Sequence, residues 1–294
     1  MSRSAGLGAG RVGVLIVNYH SEGWLRRALD ALSGDGASMP PVSVFDNGSS
    51  PGALRDLGAS VQILGCGRNL GFAAGINRAR RAVRTEFLLL LNPDCLITPE
   101  GIERLVAELD RHPEAALVSG RVVGTDGAEQ RGSRRRLPQP ALIIGEMLGN
   151  SSKCIDLSQT PPPSGAVELE AVSGACMLVR AAVFDALGGL DEGYRLHFED
   201  LDFMARIRQA GWTIRWVGEV QIVHAGGQSS RHRPLGVEID KHFSLWRYLR
   251  RHCHEQWPWW QRPLWALALL AHLGWRLVTR LPAAIGSPRH RTAS

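Results

Sequence analysis

The first 125 residues alternate short apolar runs with segments of helical periodicity. Strands that lack polar alternation and are separated by helices are typical of a parallel sheet covered on both faces. The sequence therefore predicts an α/β fold with a mostly parallel central sheet flanked by helices. The predicted strands are Val12–Val17, Val42–Phe45, Val61–Leu64, Phe87–Leu91 and Ala116–Gly120, and the helices between them are Glu22–Leu32, Phe72–Val83 and Pro99–Arg111.

The second half of the chain interrupts this pattern and then resumes it. Residues 126–165 are rich in arginine, proline and glycine, and we expect a long excursion or flexible loop there. We divide the chain into a flexible N-terminus (1–10), a main domain (11–233) and a helical C-terminal appendage (234–294). The later predicted elements are strands Val172–Val179, Thr213–Val217 and Val220–Val223 and helices Ala181–Leu187 and Glu199–Ala210.

The composition is that of a globular protein with an anionic partner. The 294 residues are 44% hydrophobic and 21% charged, which excludes a disordered or fibrous chain. The formal net charge is +6, and all basic residues except two lysines are arginines, so we expect a nucleic acid, a membrane surface or a phosphorylated substrate as partner. The five cysteines form no CxxC pair, which predicts a reducing compartment rather than a zinc site or a disulfide framework.

Polar side chains follow the predicted strands, where a doubly wound sheet binds its ligands. Asn18 follows the first strand, and Asp46 and Asn47 follow the second, where an acidic residue is suited to a ribose or a base. The stretch Asn69–Asn77 places glycines before and inside a helix, where backbone amides are suited to a diphosphate. These stretches are also typical of plain turns and of helix capping.

One carboxylate follows the most apolar strand. Four leucines lead into Asn92 and Asp94, so Asp94 is expected at the mouth of an apolar core. Mg²⁺ and Mn²⁺ are typically held by one or two protein carboxylates plus substrate phosphates, so Asp94 predicts such a site. His224 follows a late strand and is a credible second ligand. The alternatives are a helix cap or turn for Asp94 and a structural role for His224.

A second acidic cluster opens the helix predicted from Glu199. Asp200 shares a helix face with apolar residues three, four and seven positions later, and an apolar environment raises the proton affinity of a carboxylate. Such a group is suited to act as a general base near neutral pH. We expect Asp202 to form a solvated ion pair with Arg206, four residues later. The alternative for Glu199 and Asp200 is an acid-rich helix N-terminus without catalytic function.

Taken together, these motifs resemble glycosyltransferase family 2, in particular its rhamnosyltransferase-like branch. The matching stretches occur in the expected order from about Val12 to Arg251 and cover most of the chain. They are VLIVNYHS, DNGSS, NLGFAAGIN, LLLLNPD, VSGACMLVR, GGLDEGYRLHFEDLDFMARIRQAGW, VHAGGQS and KHFSLWRYLRRH.

The resemblance implies a GT-A fold for the main domain and an inverting, metal-dependent transfer from a nucleotide sugar. It makes Asp200 the catalytic base, with Glu199 beside it on the acceptor side, and it assigns Mg²⁺ or Mn²⁺ to Asp94 and His224. Asn92 stands where the family's DxD motif has its first aspartate, which leaves fewer charges on the metal. The implied donor-binding residues are Asn18, Asp46, Asn47, Asn69, Gly71, Asn77 and Asn92.

The branch implies transfer of L-rhamnose from dTDP-L-rhamnose to a hydroxyl of a lipid-linked (polyprenyl-diphosphate) or polysaccharide acceptor in cell-surface glycan biosynthesis. The alternative is another family 2 hexosyl-, N-acetylhexosaminyl- or galactofuranosyltransferase. A non-catalytic basic scaffold for membranes or nucleic acid is disfavoured, because no helix-turn-helix, RRM or zinc pattern appears. We therefore expect no nucleic-acid partner.

The C-terminal region predicts contact with a membrane surface. Tryptophans concentrate there beside arginines, which is typical of the membrane interface. The apolar stretch is shorter than the roughly 20 residues that span a bilayer, and the first apolar run is too short for an export signal. We expect a cytoplasmic protein, peripheral on the inner face of the cytoplasmic membrane, with Arg131–Arg136 as a further contact to an anionic surface or acceptor. The alternative is a helix docked on the protein or at a dimer interface. A helix over Leu264–Leu281 would carry one polar stripe, formed by His272, Arg276, Thr279 and Arg280.

Overall fold

A mixed sheet forms the centre of the protein. The computed structural model describes residues 10–34, 39–50, 52–58, 60–147, 154–226, 234–256 and 259–285. The predicted flexible N-terminus, apart from Gly10, lies outside these residues. The strands are β1 (Val12–Asn18), β2 (Val42–Asp46), β3 (Val61–Gly65), β4 (Phe87–Leu91), β5 (Cys95–Leu96), β6 (Ala115–Val123), β7 (Arg134–Arg135), β8 (Ala166–Glu168), β9 (Ala171–Val172), β10 (Cys176–Arg180) and β11 (Thr213–His224).

Within the described residues nine strands form one sheet, in the order β3-β2-β1-β4-β10-β6-β11-β5, with β8 paired to β11. Strands β1 to β4, β6 and β11 run in the same direction, and β10 enters antiparallel between β4 and β6. Strands β7 and β9 form a separate two-stranded ribbon. The mostly parallel sheet predicted from the sequence is confirmed.

Helices cover both faces of the sheet, because the central strands are apolar on both sides. Val14 and Ile16 of β1 pack with the helices of one face, whereas Leu15 and Val17 pack with those of the other. Helices α1 and α3 lie on the first face, and α2, α5, α6 and part of α7 lie on the second. The helices are α1 (Glu22–Ser33), α2 (Phe72–Arg80), α3 (Pro99–Arg111), α4 (Pro140–Met147), α5 (Ala181–Ala186), α6 (Glu199–Gln209), α7 (Pro234–His252) and α8 (Arg262–Ile285).

Two segments differ from the predicted strands. The strands predicted at 213–217 and 220–223 are one strand, β11, because a register shift between Val217 and Gln221 keeps the chain paired with β6. Conversely, the strand predicted at 172–179 is split into β9 and β10. The chain leaves the sheet between them at Gly174, where it passes the start of α6.

The excursion at 126–165 is more ordered than the sequence suggested. Strand β7 pairs with β9, and Arg134 is buried in an ion pair with Glu129, with Nε and Oε1 2.7 Å apart. Arg135 points inward as well and bonds to Asp200. The expectation that Arg134 and Arg135 recruit an anionic surface is therefore wrong, since both guanidinium groups are engaged inside the protein.

Helix α8 docks on α7 through His272 and Arg276 of its polar stripe. His272 Nδ1 lies 2.9 Å from His242 Nε2, and Arg276 Nε lies 3.3 Å from Glu238 Oε1. The opposite side of α8 is apolar and exposed. Its side chains that are more than half exposed are Leu264, Leu267, Leu270, Trp275 and Val278.

The docked helix that the sequence left as an alternative is thus observed, and the side that docks carries His272 and Arg276 beside the partly buried Trp265 and Leu269. Among the described residues, no helix combines the length and apolarity needed to cross a membrane.

Candidate active site

A cavity of about 1160 Å³ opens at the carboxyl ends of the central parallel strands. Tyr19, Asn47 and Asn92 enter it directly after β1, β2 and β4, as expected for a doubly wound sheet. Its other walls come from the 126–165 excursion, from the start of α6 and from α7. The cavity therefore joins residues that are far apart in the sequence.

The predicted metal ligands Asp94 and His224 meet in this cavity. Strand β5 pairs with the end of β11 so that Cys95 is opposite His224, and this register brings the Asp94 side chain next to the imidazole. Asp94 Oδ1 lies 3.3 Å from His224 Nε2, and both side chains are largely buried. The sequence predicted the two residues, and sheet pairing places them together.

Gln130 fixes the orientation of His224. Its amide nitrogen donates to the His224 carbonyl at 2.6 Å, which leaves its Oε1 to accept from the ring Nδ1–H at 2.8 Å. The proton on Nδ1 leaves the lone pair of Nε2 directed at the Asp94 carboxylate. Two lone-pair atoms at this separation are stabilised by a cation between them, so the pair fits a divalent metal ion.

Cys95 adds a third potential ligand atom, because its Sγ lies within 4.8 Å of ligand atoms of Asp94 and His224. Its side chain is fully buried, and desolvation raises the pKa of the thiol well above its usual value. A neutral thiol is a poor ligand. The residues that fit Mg²⁺ or Mn²⁺ are therefore one carboxylate and one imidazole, which leaves coordination positions for phosphate oxygens.

The predicted catalytic pair lies on another wall of the cavity, at the start of α6. Asp200 Oδ2 accepts a hydrogen bond from Arg135 Nη2 at 2.5 Å, and the same guanidinium donates to the carbonyl of Val172. Glu199 is buried, and its Oε2 has no hydrogen-bond partner within the described residues. The two neighbouring carboxylates thus have opposite environments.

The pKa values of the pair diverge for that reason. Burial and the negative charge of Asp200 raise the pKa of Glu199 to about 8. For Asp200, burial acts to raise the pKa, but the charge and hydrogen bond of Arg135 outweigh it and lower the pKa below its usual value. The raised proton affinity expected for Asp200 is therefore wrong; it belongs to Glu199. At neutral pH Asp200 is ionised and Glu199 is mostly protonated.

The backbone around this pair is tight and unusual. His197 and Phe198, directly before α6, both have left-handed φ angles of 63° and 69°. A Cβ at Gly174 would lie 2.6 Å from Asp200 Oδ2, so only glycine leaves room for the carboxylate. Strained residues of this kind persist where the surrounding structure holds them, and they cluster at functional sites.

Four of the predicted donor-binding residues line the cavity: Asn47, Asn69, Gly71 and Asn92. Asn47 connects the loop after β2 to the loop before α2. Its Oδ1 accepts a hydrogen bond from the Leu70 amide at 3.0 Å, and its amide nitrogen donates to the Gly71 carbonyl at 3.2 Å. Gly71 has a φ of 87° and is the N-cap residue directly before α2. This wall is built of polar groups held by short loops.

The other three predicted donor residues lie behind this wall and do not line the cavity. Asn18 is fully buried and donates to Ser49 Oγ at 2.8 Å, and Asp46 Oδ1 accepts from the same hydroxyl at 2.5 Å. Asn77 donates to the Leu190 carbonyl at 2.8 Å and accepts from the Leu190 amide at 3.0 Å. Asn18 and Asp46 support the loop that carries Asn47, whereas Asn77 connects α2 to the segment before α6.

Asp202 also differs from its expectation. Its pairing with Arg206 is present at 2.8 Å, but the carboxylate is fully buried rather than solvated. His252 Nε2 lies 2.8 Å from Asp202 Oδ1, so this cluster connects α6 to the end of α7. Hydrogen bonds from His252 and Arg206 keep the pKa of Asp202 below its usual value despite burial.

Sequence reasoning missed Arg135, Gln130 and His197 as site residues. Arg135 was visible only as part of a basic run, and nothing in that run distinguishes an inward from an outward guanidinium. Gln130 and His197 carry no local signal. All three depend on contacts with residues that are distant along the chain or that arise from an unusual backbone.

Residues 13–188 match the model of the family "Glycosyl transferase family 2". The chain belongs to glycosyl transferase family 2. The N-acetylglucosaminyl-diphospho-decaprenol L-rhamnosyltransferase of Mycobacterium tuberculosis is 30% identical to it, over 88% of this chain and 91% of that protein. The rhamnosyltransferase WbbL of Escherichia coli is 24% identical, over 74% of this chain and 84% of that protein. The resemblance drawn from the motifs is confirmed.

Solved glycosyltransferases share the fold of this family 2 protein. A mannosyltransferase from Pyrobaculum calidifontis, solved with GDP-Man and Mn²⁺, matches 95% of this chain and 77% of its own with a TM-score of 0.57 at 17% identity. The Staphylococcus aureus protein TarS, residues 1–349 with UDP-GlcNAc, matches 80% of this chain and 65% of its own with a TM-score of 0.54 at 16% identity. These likenesses establish the GT-A type of fold.

Proposed function

We propose that the protein is an inverting, metal-dependent glycosyltransferase that moves a sugar from a nucleotide sugar to a hydroxyl of a lipid-linked or polysaccharide acceptor. The observation that carries the proposal is that one cavity contains both the Asp94–His224 pair and the Glu199–Asp200 pair. The first pair suits a metal ion and a diphosphate, and the second suits an attacking hydroxyl. Main domain 11–233 is the catalytic domain in this proposal.

Asp200 is the base that accepts the proton of the acceptor hydroxyl. Arg135 keeps Asp200 ionised at neutral pH, so the carboxylate is ready to accept that proton. The hydroxyl oxygen attacks the anomeric carbon from the face opposite the diphosphate, and this single displacement inverts the configuration. Glu199 is mostly protonated near neutrality and is suited to donate a hydrogen bond to the acceptor.

Asp94 and His224 would hold the divalent metal ion, with Gln130 orienting the imidazole. When bound, the ion supplies positive charge that stabilises the departing diphosphate. Asn47, Asn69, Gly71 and Asn92 form the wall on which the nucleotide lies, and Asn18 and Asp46 act through that wall. Both Mg²⁺ and Mn²⁺ fit one carboxylate and one imidazole.

The proposed donor sugar is L-rhamnose, carried by dTDP, and the proposed acceptor is a polyprenyl-diphosphate-linked glycan. The support is that two relatives are named rhamnosyltransferases and that one of them is named for an N-acetylglucosaminyl-diphospho-decaprenol acceptor. The pathway in this proposal is cell-surface glycan biosynthesis. The second candidate is transfer of another sugar, since a low-salt glycan hexosyltransferase of Haloferax volcanii is 26% identical over 72% of this chain.

The exposed side of α8 is the proposed membrane contact. The helix turns His272 and Arg276 toward α7 and keeps a row of apolar side chains exposed, whereas a solvated surface helix exposes its polar residues. The exposed apolar side chains are Leu264, Leu267, Leu270, Trp275 and Val278. Such a surface is suited to the membrane interface. We place the enzyme on the inner face of the cytoplasmic membrane, where a lipid-linked acceptor is within reach of the cavity.

The reaction is tested by nucleoside diphosphate release from dTDP-rhamnose, UDP-galactose, UDP-N-acetylglucosamine and GDP-mannose, with lipid-linked acceptor extract and with Mg²⁺, Mn²⁺ or a chelator. We expect turnover of dTDP-rhamnose that requires metal and is lost in Asp200→Asn and Asp94→Ala. Turnover of a different donor with the same losses would keep the enzyme class and replace the sugar. Absence of turnover of every donor, in a folded protein, would refute the proposal.

Membrane contact is tested by vesicle sedimentation of Leu267→Ser/Leu270→Ser. Both leucines are more than 60% exposed on α8, so the change should reduce binding to phosphatidylcholine vesicles without lowering the melting temperature. Ile63→Ser removes an exposed apolar side chain from the distant edge strand β3 and serves as the control. Equal binding of wild type and the double variant would contradict the membrane role of α8.

A further inference from the structure

A second, smaller cavity of about 340 Å³ lies where α7 ends and α8 begins, and we call it the arginine pocket. It shares no lining residue with the catalytic cavity. The two cavities are neighbours along α7, because Leu245 lines the catalytic cavity and Trp246, about 100° further around the helix, lines the arginine pocket. The lining residues of the arginine pocket are Trp246, Arg250, Arg251, His254 and Arg262.

The pocket is strongly cationic, because none of its lining residues carries a carboxylate. Arg251 forms ion pairs with Asp191 and Asp202, which do not line the pocket. Within the described residues, Arg250 and Arg262 form neither an ion pair nor a side-chain hydrogen bond. Guanidinium groups gathered without counter-charges repel one another, and an anion between them removes that repulsion. Phosphate oxygens match the planar guanidinium fork in both charge and geometry.

The surroundings of the pocket indicate which phosphate it takes. Trp259 and Trp260, directly before α8, are 79% and 54% exposed, and Leu264, two residues after Arg262, is 57% exposed. The cationic pocket therefore borders the apolar side of α8. A molecule with a phosphate joined to apolar chains satisfies both surfaces at once, whereas a free phosphate leaves the apolar side uncovered. Tryptophan beside arginine is the pattern of the lipid headgroup level.

We propose that the arginine pocket binds the phosphate group of an anionic phospholipid while the apolar side of α8 lies among the acyl chains. The proposal rests on the membrane contact proposed for α8, but not on the proposed reaction. It concerns a site separate from the acceptor, since the pocket lies outside the catalytic cavity. Binding there fixes the rotation of α8, and with it the catalytic domain, relative to the membrane surface.

The test is sedimentation of the full chain with vesicles of phosphatidylcholine alone and with added phosphatidylglycerol, comparing wild type with Arg250→Gln/Arg262→Gln. The matched control is Arg81→Gln/Arg84→Gln, which removes the same charge from exposed arginines after α2. A basic residue near an anionic membrane contributes about fivefold in affinity, so the pocket variant should lose roughly 30-fold of the phosphatidylglycerol preference. The control should lose far less, and binding to phosphatidylcholine alone should be unchanged in both.

Two outcomes would overturn the proposal. Equal losses in the pocket variant and the control would mean that net charge alone drives the preference. A rise in melting temperature with inorganic phosphate at constant ionic strength, lost in the pocket variant and unaccompanied by a phosphatidylglycerol preference, would assign the pocket to a free phosphate. Donor turnover with a detergent-solubilised acceptor tests the reaction separately, so either proposal can fail alone.

Discussion

The two sides of the catalytic cavity are built in different ways. The proposed donor side includes Asn47 and Asn92, each placed directly after a strand of the parallel sheet, and Asp94 in the short turn between β4 and β5. The acceptor side consists of Arg135 from the excursion, Glu199 and Asp200 from the start of α6, and residues of α7. The positions of the donor-side residues are set mainly by the order of the strands in the sheet. The positions of the acceptor-side residues depend on how three segments that are distant in the sequence pack together.

The electrostatics of the two sides differ as well. On the proposed donor side, Asp94 Oδ1 and His224 Nε2 direct lone pairs at each other, an arrangement that suits a metal ion. On the acceptor side, Asp200 already has its cation in Arg135. We therefore expect the donor side to respond to added metal and the acceptor side to respond to pH.

The largest effect is expected on the acceptor side, from Asp200→Asn. General base catalysis contributes about 10²- to 10⁴-fold, so kcat should fall by that order while donor binding is kept. Single-turnover kinetics and donor-induced stabilisation measure the two quantities. Glu199→Gln is the comparison variant. Because glutamine mimics the protonated form of Glu199, this variant should lower kcat much less than Asp200→Asn does. A larger loss in Glu199→Gln than in Asp200→Asn would reverse the assigned roles.

The next largest effect is expected on the donor side, from Gln130→Ala. Loss of the partner that orients His224 should weaken Mn²⁺ binding about 10- to 100-fold, as for other residues that position a metal ligand. Mn²⁺ titration by electron paramagnetic resonance in the presence of a nucleoside diphosphate gives the affinity directly. Gln130→Glu keeps an acceptor for Nδ1–H and should restore part of it. Unchanged Mn²⁺ affinity in Gln130→Ala would remove Gln130 from the site.

Gly174→Ala tests how tightly the acceptor side is packed. The new Cβ would lie 2.6 Å from Asp200 Oδ2, so the carboxylate must move or the backbone must shift. Overpacking of this kind costs about 1–3 kcal/mol of unfolding free energy, which denaturant titration measures. We expect kcat to fall as well, because the Asp200 carboxylate is displaced. Gly23→Ala is the control, because its φ, like that of Gly174, is not positive and no atom lies within 4 Å of its would-be Cβ.

The smallest and most specific effect is expected from Arg135→Gln. Arg135 lowers the pKa of Asp200, so its removal should raise that pKa and move the acid limb of the kcat/KM profile to higher pH. A carboxylate whose pKa is lower in the folded than in the unfolded state stabilises the fold at pH values above the unfolded-state pKa. This stabilisation is lost as the pH falls through the folded-state pKa. Arg135→Gln should therefore lose less stability on acidification than wild type. Arg135→Lys should retain part of the shift.

The alternation of apolar runs and helices was enough to predict the sheet, its direction and the positions of most strands. The residues that follow those strands were predictable for the same reason, because a strand end is a local property. Prediction failed where strands are interrupted: the bulge in β11 and the break at Gly174 depend on neighbouring segments. The contacts of Asn77 were not predictable either, because its partner groups on Leu190 lie 113 residues away.

The sequence by itself determined the family, the sheet and the identity of Asp94, Glu199, Asp200 and His224 as chemical candidates. The tertiary structure alone decided which carboxylate is ionised, because Arg135 reaches Asp200 from 65 residues away. It likewise decided the orientation of His224, through Gln130 at a separation of 94 residues, and the outward direction of the apolar side of α8. Periodicity encodes burial locally, whereas charge and hydrogen-bond environments depend on segments that only folding brings together.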